Sequence, residues 1–194
     1  MIKNREFFAR GKRGIIYIAF IGKKKVGIKT KRSGSKAIGR IENEAKWMKI
    51  LNKKGIGPKF VSFENNELIY EFVEGEFIID YFEKSEKKDI LRVLKDLMKQ
   101  MREMDKLKVN KLEMHHPIKH VVVGKNVVLL DFERCHITNK PKNVTQLCQF
   151  IVSGHLTKLL GSKGIKINRK EILDAAKEYK KNHKGFNKIF KLIK

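Results

Sequence analysis

The spacing of apolar and polar residues along this chain changes once, from a pattern typical of strands to one typical of helices. Up to about residue 81, short runs rich in β-branched and aromatic residues predict strands, and residues 22–24 and 64–66 have the composition of connecting turns. The predicted strands lie at 14–21, 25–29, 60–63 and 68–73. A helix is predicted over about 35–52, because apolar residues recur there every three or four positions. Its predicted buried face consists of Ile38, Ile41, Ala45, Met48 and Leu51.

Helical spacing dominates the rest of the chain. The longest predicted helix covers about 86–105, where apolar residues keep to one face. Further along, Asn143 and Asn168 are predicted helix N-caps, and Asn168 with Glu171 has the pattern of a capping box. A strand-rich first part followed by a helical second part predicts an α+β fold.

Length and composition favour a folded protein of the cytoplasm. The chain has 194 residues, of which 41% are hydrophobic, and this is enough for a substantial core. No apolar stretch approaches the length of a membrane span, and the first residues lead into no signal-peptide core. Cys135 and Cys148 lack the spacing of metal ligands, so reduced thiols are the simpler interpretation. We therefore expect a cytoplasmic protein that does not bind membranes.

The charge of the chain allows two interpretations. A formal net charge of +24 favours binding to polyanions, which makes RNA a plausible partner. Lysine is also spread along the whole sequence, as is typical of heat-adapted proteins, and the charge could then be a dispersed solvated surface. The local exception is the segment 158–194, in which lysines greatly outnumber Glu171, Asp174 and Glu178. The sequence leaves both interpretations open.

Candidate chemistry begins with Asp131, which follows an apolar strand at 127–130 and precedes Phe132. A carboxylate offers the oxygen ligands that Mg²⁺ prefers, although a short apolar run that ends in Asp is common. Gly11 and Gly14 lie in the first predicted hairpin, where the lack of a Cβ would let another group approach the backbone closely. Lys29 ends the short run Val-Gly-Ile-Lys, and the following predicted helix carries acidic residues that could pair with it.

Together these motifs resemble the protein-kinase-like superfamily over roughly residues 7–160. The segment 9–16 resembles the kinase Gly-rich loop with its first glycine replaced by Ala9, and 26–29 resembles the kinase Val-Ala-Ile-Lys strand. The closest subgroup is similar to small archaeal predicted Ser/Thr kinases, akin to the RIO kinases and the KEOPS-associated kinase. The resemblance implies a single two-lobe kinase-like domain, with an N-terminal lobe at 1–74 and a reduced helical C-terminal lobe at 75–194.

The resemblance also assigns roles to these residues. Lys29 would reach the α- and β-phosphates of ATP and be held by a helix carboxylate, for which Glu44 is preferred over Glu42. The segment 68–75 resembles the kinase hinge, so the backbones of Glu71 and Val73 would bind adenine. The gatekeeper would then be Tyr70. ATP and Mg²⁺ are the implied cofactors, with Asp131 as metal ligand and the nucleotide bound between the lobes.

The catalytic loop departs from the kinase pattern. Counting forward from the helix that ends near residue 105 places Glu113 at the position of the catalytic base, whereas counting back from the strand at 120–123 places His115 there. Glu113 is preferred because a carboxylate can orient the acceptor hydroxyl without changing the charge class of the site. His120 would take the place of the metal-binding Asn, although Mg²⁺ prefers oxygen ligands. Lys119 could neutralise charge on the γ-phosphate.

Two further departures from the kinase pattern limit the functions that the sequence allows. Glu133 replaces the glycine of Asp-Phe-Gly, and the next helix begins near Asn143, which leaves a very short activation segment. The resemblance implies an atypical Ser/Thr kinase or ATPase with an unidentified protein substrate and possible RNA association. The alternatives are a pseudokinase that acts as a nucleotide-binding or RNA-associated module, and a small-molecule kinase. The reduced C-terminal region argues against the last of these.

Overall fold

The computed structural model describes residues 2–11, 14–32 and 39–194. The chain divides into two compact units, which we call the N-terminal unit and the C-terminal unit. The N-terminal unit comprises Met1–Glu74 together with Val128–Cys135, and the C-terminal unit comprises Gly75–Val127 and His136–Lys194. The residues around Asp131 therefore group with the strand-rich first part of the chain, not with the helices that surround them in sequence.

An antiparallel sheet of five strands forms the N-terminal unit, in the order β1-β2-β3-β5-β4. The elements of this part are β1 (Ile2–Arg10), β2 (Gly14–Ile21), β3 (Lys24–Lys31), α1 (Arg40–Asn52), β4 (Phe60–Glu64) and β5 (Glu67–Glu71). The four strands predicted from the sequence are confirmed as β2 to β5. One face of the sheet packs a core of Ala19, Val26, Ile28 and Ile69. Strand β1 has no counterpart among the predictions, since nearly all its residues are exposed and no alternation marks them.

Helix α1 begins at Arg40, and the predicted start of this helix at residues 35–38, including Ile38, lies outside the described residues. The rest of the predicted apolar face is buried, as expected for an amphipathic helix. Asn52 fixes the loop that follows, because its Nδ2 donates to Ile56 O at 3.0 Å and to Pro58 O at 2.9 Å. Its Oδ1 accepts from Phe60 N at 2.7 Å, which leads the chain into β4.

The C-terminal unit is mostly helical. Its elements begin with β6 (Glu76–Phe77), α2 (Ile78–Lys84), α3 (Lys87–Lys106), β7 (Val109–Asn110) and β8 (Val121–Val123). Strand β9 (Val127–Leu129) starts in this unit and continues into the N-terminal unit. The remaining elements are β10 (His136–Ile137), α4 (Asn143–Ile151), α5 (Gly154–Ser162), α6 (Arg169–Asn182) and α7 (Phe186–Lys191). Helix α3 matches the predicted helix at 86–105, and its apolar face is fully buried.

A buried polar cluster joins α3, α4 and α6. Asp105 accepts hydrogen bonds from Asn143 N at 3.0 Å, from Asn143 Nδ2 at 2.8 Å, and from the hydroxyl of Tyr179 at 2.9 Å. Burial raises the pKa of Asp105, and these donors oppose that rise. Arg102 Nη1 donates to the hydroxyl of Tyr179 at 2.7 Å, so a charged group completes the cluster.

The two predicted N-caps have different outcomes. Asn168 caps α6 as predicted, since its Oδ1 accepts from Glu171 N at 3.2 Å and its Nδ2 donates to Glu171 Oε1. The prediction for Asn143 is wrong, because Lys142 occupies the cap and Asn143 is the first helical residue. The Asn143 amide donates to Val109 O at 2.6 Å and to Asp105. Buried acceptors, which are costly to leave unpaired, therefore take this side chain away from the helix end.

Both cysteines are buried thiols, and burial raises the pKa of Cys148 to about 12. Among the residues described, no helix combines the length and the apolar character that crossing a bilayer would require.

Candidate functional site

Lys29 lies on β3 and makes the shortest ion pair among the described residues of the N-terminal unit. Its Nζ is 2.5 Å from Glu44 Oε2 on α1 and 3.6 Å from Asp131 Oδ1. The side chains of Lys29 and Glu44 are only 13% and 4% exposed, so both charges are shielded from water. The sheet, the helix and the segment after β9 thus each contribute one charged group to the same point. The structure brings together these three predicted site residues.

The charge balance at this point favours a protonated lysine. Burial by itself would lower the pKa of Lys29, but the carboxylates of Glu44 and Asp131 outweigh it and raise that pKa above its ordinary value. Burial also raises the pKa of Glu44, against the opposing effect of the Lys29 ammonium. Lys29 is therefore a fixed cation, suited to bind phosphate oxygens.

Glu133 adds a further carboxylate to this cluster. It is buried, and oxygens of Glu44, Asp131 and Glu133 all lie within 4.8 Å of one another. Asp131 has the left-handed φ of 63°, a conformation that costs energy for a residue with a Cβ, and its Oδ1 accepts from Glu133 N at 3.5 Å. Oxygen donors in this number suit Mg²⁺. Glu133 was not among the predicted site residues, although its acidic side chain after Phe132 was visible in the sequence.

Asn43 holds the segment that carries Asp131. Its Nδ2 donates to the carbonyl oxygens of Glu133 at 2.8 Å and Cys135 at 3.2 Å. Since Asn43 precedes Glu44 on α1, one helical turn positions both the partner of Lys29 and the backbone that follows Asp131. The sequence contains no signal for this role, because a single Asn on a helix usually faces solvent.

Phe132 is fully buried against Gly57 in the loop after α1. A Cβ on Gly57 would lie 2.6 Å from the Phe132 ring, and Gly57 has the left-handed φ of 86°. Only glycine satisfies both conditions at this position. The contact holds Phe132 in place, and Phe132 is the residue that directly follows Asp131.

The predicted phosphate loop is described only in part. The N–H of Gly11 donates to Gly14 O at 2.9 Å, while Lys12 and Arg13 lie outside the described residues. Gly14 begins β2 and lies beside the lysine. A Cβ there would be 3.0 Å from Thr30 O and 3.4 Å from Lys29 Cε. The Lys29 stem therefore passes directly beneath the glycine of the hairpin.

The predicted adenine-binding segment begins on β5, which pairs with the strand that carries Lys29. Gly27 on β3 faces Tyr70 on β5, and a Cβ on Gly27 would lie 2.7 Å from the Tyr70 ring. Only glycine therefore fits at position 27 while Tyr70 keeps its place. Burial raises the pKa of Tyr70 to about 12, with Glu44 adding to the shift. The N–H of Glu71 donates to Lys59 O at 2.8 Å, so a contact of Glu71 with adenine would use its carbonyl. Val73 follows the end of β5.

The predicted catalytic loop lies in the C-terminal unit and consists of two successive turns. The N–H of His116 donates to Glu113 O at 3.0 Å, and the N–H of His120 donates to Pro117 O at 2.8 Å. Glu113 has the left-handed φ of 68°, and its Oε2 lies 3.5 Å from His120 Nε2. The structure thus pairs Glu113 with His120, whereas the side chains of His115 and Lys119 are exposed.

Helix α4 anchors this loop. Gln146 Oε1 accepts from Met114 N at 3.1 Å, and Asn143 Oδ1 accepts from Lys111 N at 2.7 Å. Asn143 also belongs to the Asp105 cluster, so the loop that carries Glu113 is connected to the core of its unit by hydrogen bonds. A rigid support of this kind is what a positioned catalytic group requires.

Comparison with known proteins shows the fold. The crystal structure of a kinase domain matches the chain with a TM-score of 0.58 and 14% sequence identity, covering 69% of this chain and 51% of that one. The chain therefore has an α+β fold of the protein-kinase type, and it spans about half the length of that kinase domain. No protein-family model matches the sequence, and none of the curated proteins matches it.

Proposed function

We propose that this chain is an ATP-binding phosphotransferase, an atypical Ser/Thr kinase or ATPase of the kind its sequence resembles. The observation that carries the proposal is the position of Lys29, between Glu44 at 2.5 Å and Asp131 at 3.6 Å. A buried lysine paired with a helix carboxylate and next to an aspartate after a strand is the arrangement that kinases use for nucleotide phosphates. An ordinary surface ion pair would be more exposed and would contribute little.

The residues of the N-terminal unit suit Mg·ATP. Lys29 would bind the α- and β-phosphates, and Gly14 would allow the hairpin backbone to approach them. Asp131 would hold Mg²⁺, and the buried carboxylate of Glu133 fits the same preference for oxygen ligands. When bound, Mg²⁺ would neutralise negative charge on the β- and γ-phosphates. The carbonyl of Glu71 and the backbone of Val73 would bind adenine.

Two features of the catalytic loop support Glu113 over His115 as the base. Glu113 is held by a turn hydrogen bond, whereas the His115 side chain is exposed. Glu113 also lies next to His120, the residue at the predicted place of the metal-binding Asn. The Glu113 carboxylate would accept the proton of the acceptor hydroxyl. Lys119 is exposed, and its proposed role at the γ-phosphate would require its side chain to reorient.

The same loop favours a second candidate function. A kinase has Asp and Asn where this chain has Glu113 and His120, and here these two side chains contact each other at 3.5 Å. Imidazole is a poor ligand for Mg²⁺, so one metal position of a kinase is weakened. A pseudokinase that binds nucleotide with little phosphoryl transfer is therefore the alternative.

Replacement of Lys29 tests the proposal. We expect Lys29→Met to lower the rate of ADP formation from Mg·ATP at least about a hundredfold, since the cation that binds the phosphates is lost. Lys25→Met is the matched control on the same strand, because Lys25 pairs with the exposed Glu74. That control should keep its activity.

Stability must be measured beside activity. Lys29→Met leaves Glu44 buried without its partner, which costs about 3–5 kcal/mol in comparable cases. The double variant Lys29→Met/Glu44→Leu removes both charges and should recover much of the loss in thermal unfolding temperature without recovering activity. Full ATP turnover by a folded Lys29→Met protein would contradict the assigned role. A wild-type protein that binds Mg·ATP without turnover would favour the pseudokinase.

A further inference from the structure

We propose that the C-terminal unit binds the phosphate backbone of a single-stranded nucleic acid along two basic grooves that meet at His183. The surface is built by the end of α6, the turn into α7, one face of α3, and the segment before α4. We call the two parts the α3 groove and the α6 groove. The proposal is independent of the kinase assignment, since none of its residues belongs to the candidate nucleotide site.

The α3 groove has a volume of about 610 Å³. Its cations are Lys99, Arg102, Lys106 and Lys184. Lys99 and Lys106 are seven residues apart on one helix, which is about 10 Å of helix axis, the rise of about three stacked nucleotides. The acidic residue in the lining, Glu103, is bridged to Lys106. The groove therefore keeps a net positive charge.

The α6 groove has a volume of about 660 Å³ and a lining without acidic residues. Its cations are Lys140, Lys177, Lys180 and Lys181. The last three lie on the final two turns of α6, at spacings of three and four residues that bring side chains to one face. His183 lines both grooves and is fixed, with Nε2 3.2 Å from Pro141 O and its ring 5.1 Å from that of Tyr179.

The sequence around these grooves offers little compensating charge. After Glu133 the chain has only three acidic residues, Glu171, Asp174 and Glu178. Glu178 is engaged by Lys188 at 2.8 Å, and Asp174 is 3.5 Å from Lys177. Lys188 lines neither groove. An array of like charges at this density attracts polyanions and releases their counterions on binding.

Shape and side-chain chemistry favour a single-stranded nucleic acid over a membrane surface. The surface is concave, whereas a bilayer presents a flat face that would reach few of the lysines inside a groove. Phe186 lines the α3 groove and is half-buried, with the Arg102 guanidinium 5.7 Å from its ring. An aromatic face beside cations is the combination on which unpaired bases stack while the backbone follows the charges.

The test compares two sets of four substitutions that remove the same charge. The groove variant is Lys140→Gln, Lys177→Gln, Lys180→Gln and Lys181→Gln. The control variant is Lys88→Gln, Lys158→Gln, Lys166→Gln and Lys170→Gln, all exposed positions of the same unit outside both grooves. Binding to labelled oligouridylate, oligothymidylate of the same length, a duplex and vesicles containing phosphatidylserine is measured by fluorescence anisotropy or sedimentation over a range of salt concentrations.

We expect the groove variant to bind oligouridylate at least about tenfold more weakly, and the slope of log affinity against log salt to fall by about 3 units. The control variant should change affinity less than about threefold. Oligothymidylate that binds as well as oligouridylate would identify the backbone, and not the 2′-hydroxyl, as the ligand. Equal losses in both variants, unchanged affinity in the groove variant, or tighter binding to vesicles than to the oligonucleotides would each overturn the proposal. Thermal unfolding confirms that each variant is folded.

Discussion

The candidate site residues of the two units differ in how far water reaches their charged groups. In the N-terminal unit, the Lys29 ammonium is buried and pairs with Glu44, with Asp131 close by. In the C-terminal unit, the candidate catalytic loop consists of turns, and the side chains of His115 and Lys119 are exposed. Charged groups that are shielded from water interact strongly and are already oriented, whereas water weakens the interactions of charged groups on exposed turns. Under the proposed function, the candidate nucleotide site would thus be the better preorganised of the two, while the candidate loop for the acceptor would depend more on exposed groups.

This difference suggests which part of the chemistry the chain retains. In the proposed function, nucleotide binding would depend on the N-terminal unit, since Lys29, Asp131 and the predicted adenine-binding residues all belong to it. Transfer to an acceptor would depend on Glu113 in addition. Variants in the two units should therefore affect binding and transfer separately.

The largest difference between the effect on phosphoryl transfer and the effect on nucleotide binding is expected for Glu113→Gln. It should lower the rate of phosphoryl transfer about a hundredfold or more while leaving the affinity for Mg·ATP nearly unchanged, because the lost group acts in the transition state. His115→Ala is the matched comparison in the same loop and should reduce the rate less than about threefold. Single-turnover kinetics and equilibrium nucleotide binding measure the two quantities. The opposite ranking would mean that His115 holds the position of the base.

A smaller effect is expected for Asn43→Ala in the N-terminal unit. The change removes the donor to Glu133 O and Cys135 O, leaving two carbonyl groups to find other partners, which costs about 1–3 kcal/mol. We expect a lower unfolding temperature and weaker binding of Mg·ATP, with the ratio of transfer to binding unchanged. Glu42→Ala, at an exposed position of the same helix, should alter none of these. A selective loss of transfer in Asn43→Ala would show that the two units do not divide the chemistry as described.

The sequence predicted the fold where a local pattern carried the information. Strands β2 to β5 have alternating or continuous apolar residues, and α3 has apolar residues on one face only. The spacing of these residues identifies each element as a strand or a helix. Strand β1 was not predicted because it is exposed on both faces and therefore has no apolar pattern. Asn143 was assigned to a helix cap because short polar residues favour that position, but the buried Asp105 and Val109 carbonyl bind its amide instead. Local propensity cannot anticipate a partner that is distant in sequence.

The candidate site shows the same limit. Lys29, Glu44 and Asp131 could be selected because each lies at a recognisable place in a motif, and the structure brings them together. Asn43 and Glu133 act through contacts between segments about ninety residues apart, which no local pattern records. The contact of His120 with Glu113 at 3.5 Å was not among the expectations, and the role of His120 as a metal ligand stays a prediction.

Nucleotide affinity with and without Mg²⁺ tests the central claim most directly, since the claim is that the N-terminal unit forms a Mg·ATP site around Lys29 and Asp131. Isothermal titration of the wild-type protein should show ATP binding that becomes at least about tenfold tighter when Mg²⁺ is added, because Asp131 would hold the metal and the metal would neutralise phosphate charge. Asp131→Asn should lose most of that gain and retain the weaker, metal-independent binding through Lys29. Equal affinity with and without Mg²⁺ in the wild type, or an undiminished gain in Asp131→Asn, would contradict the account.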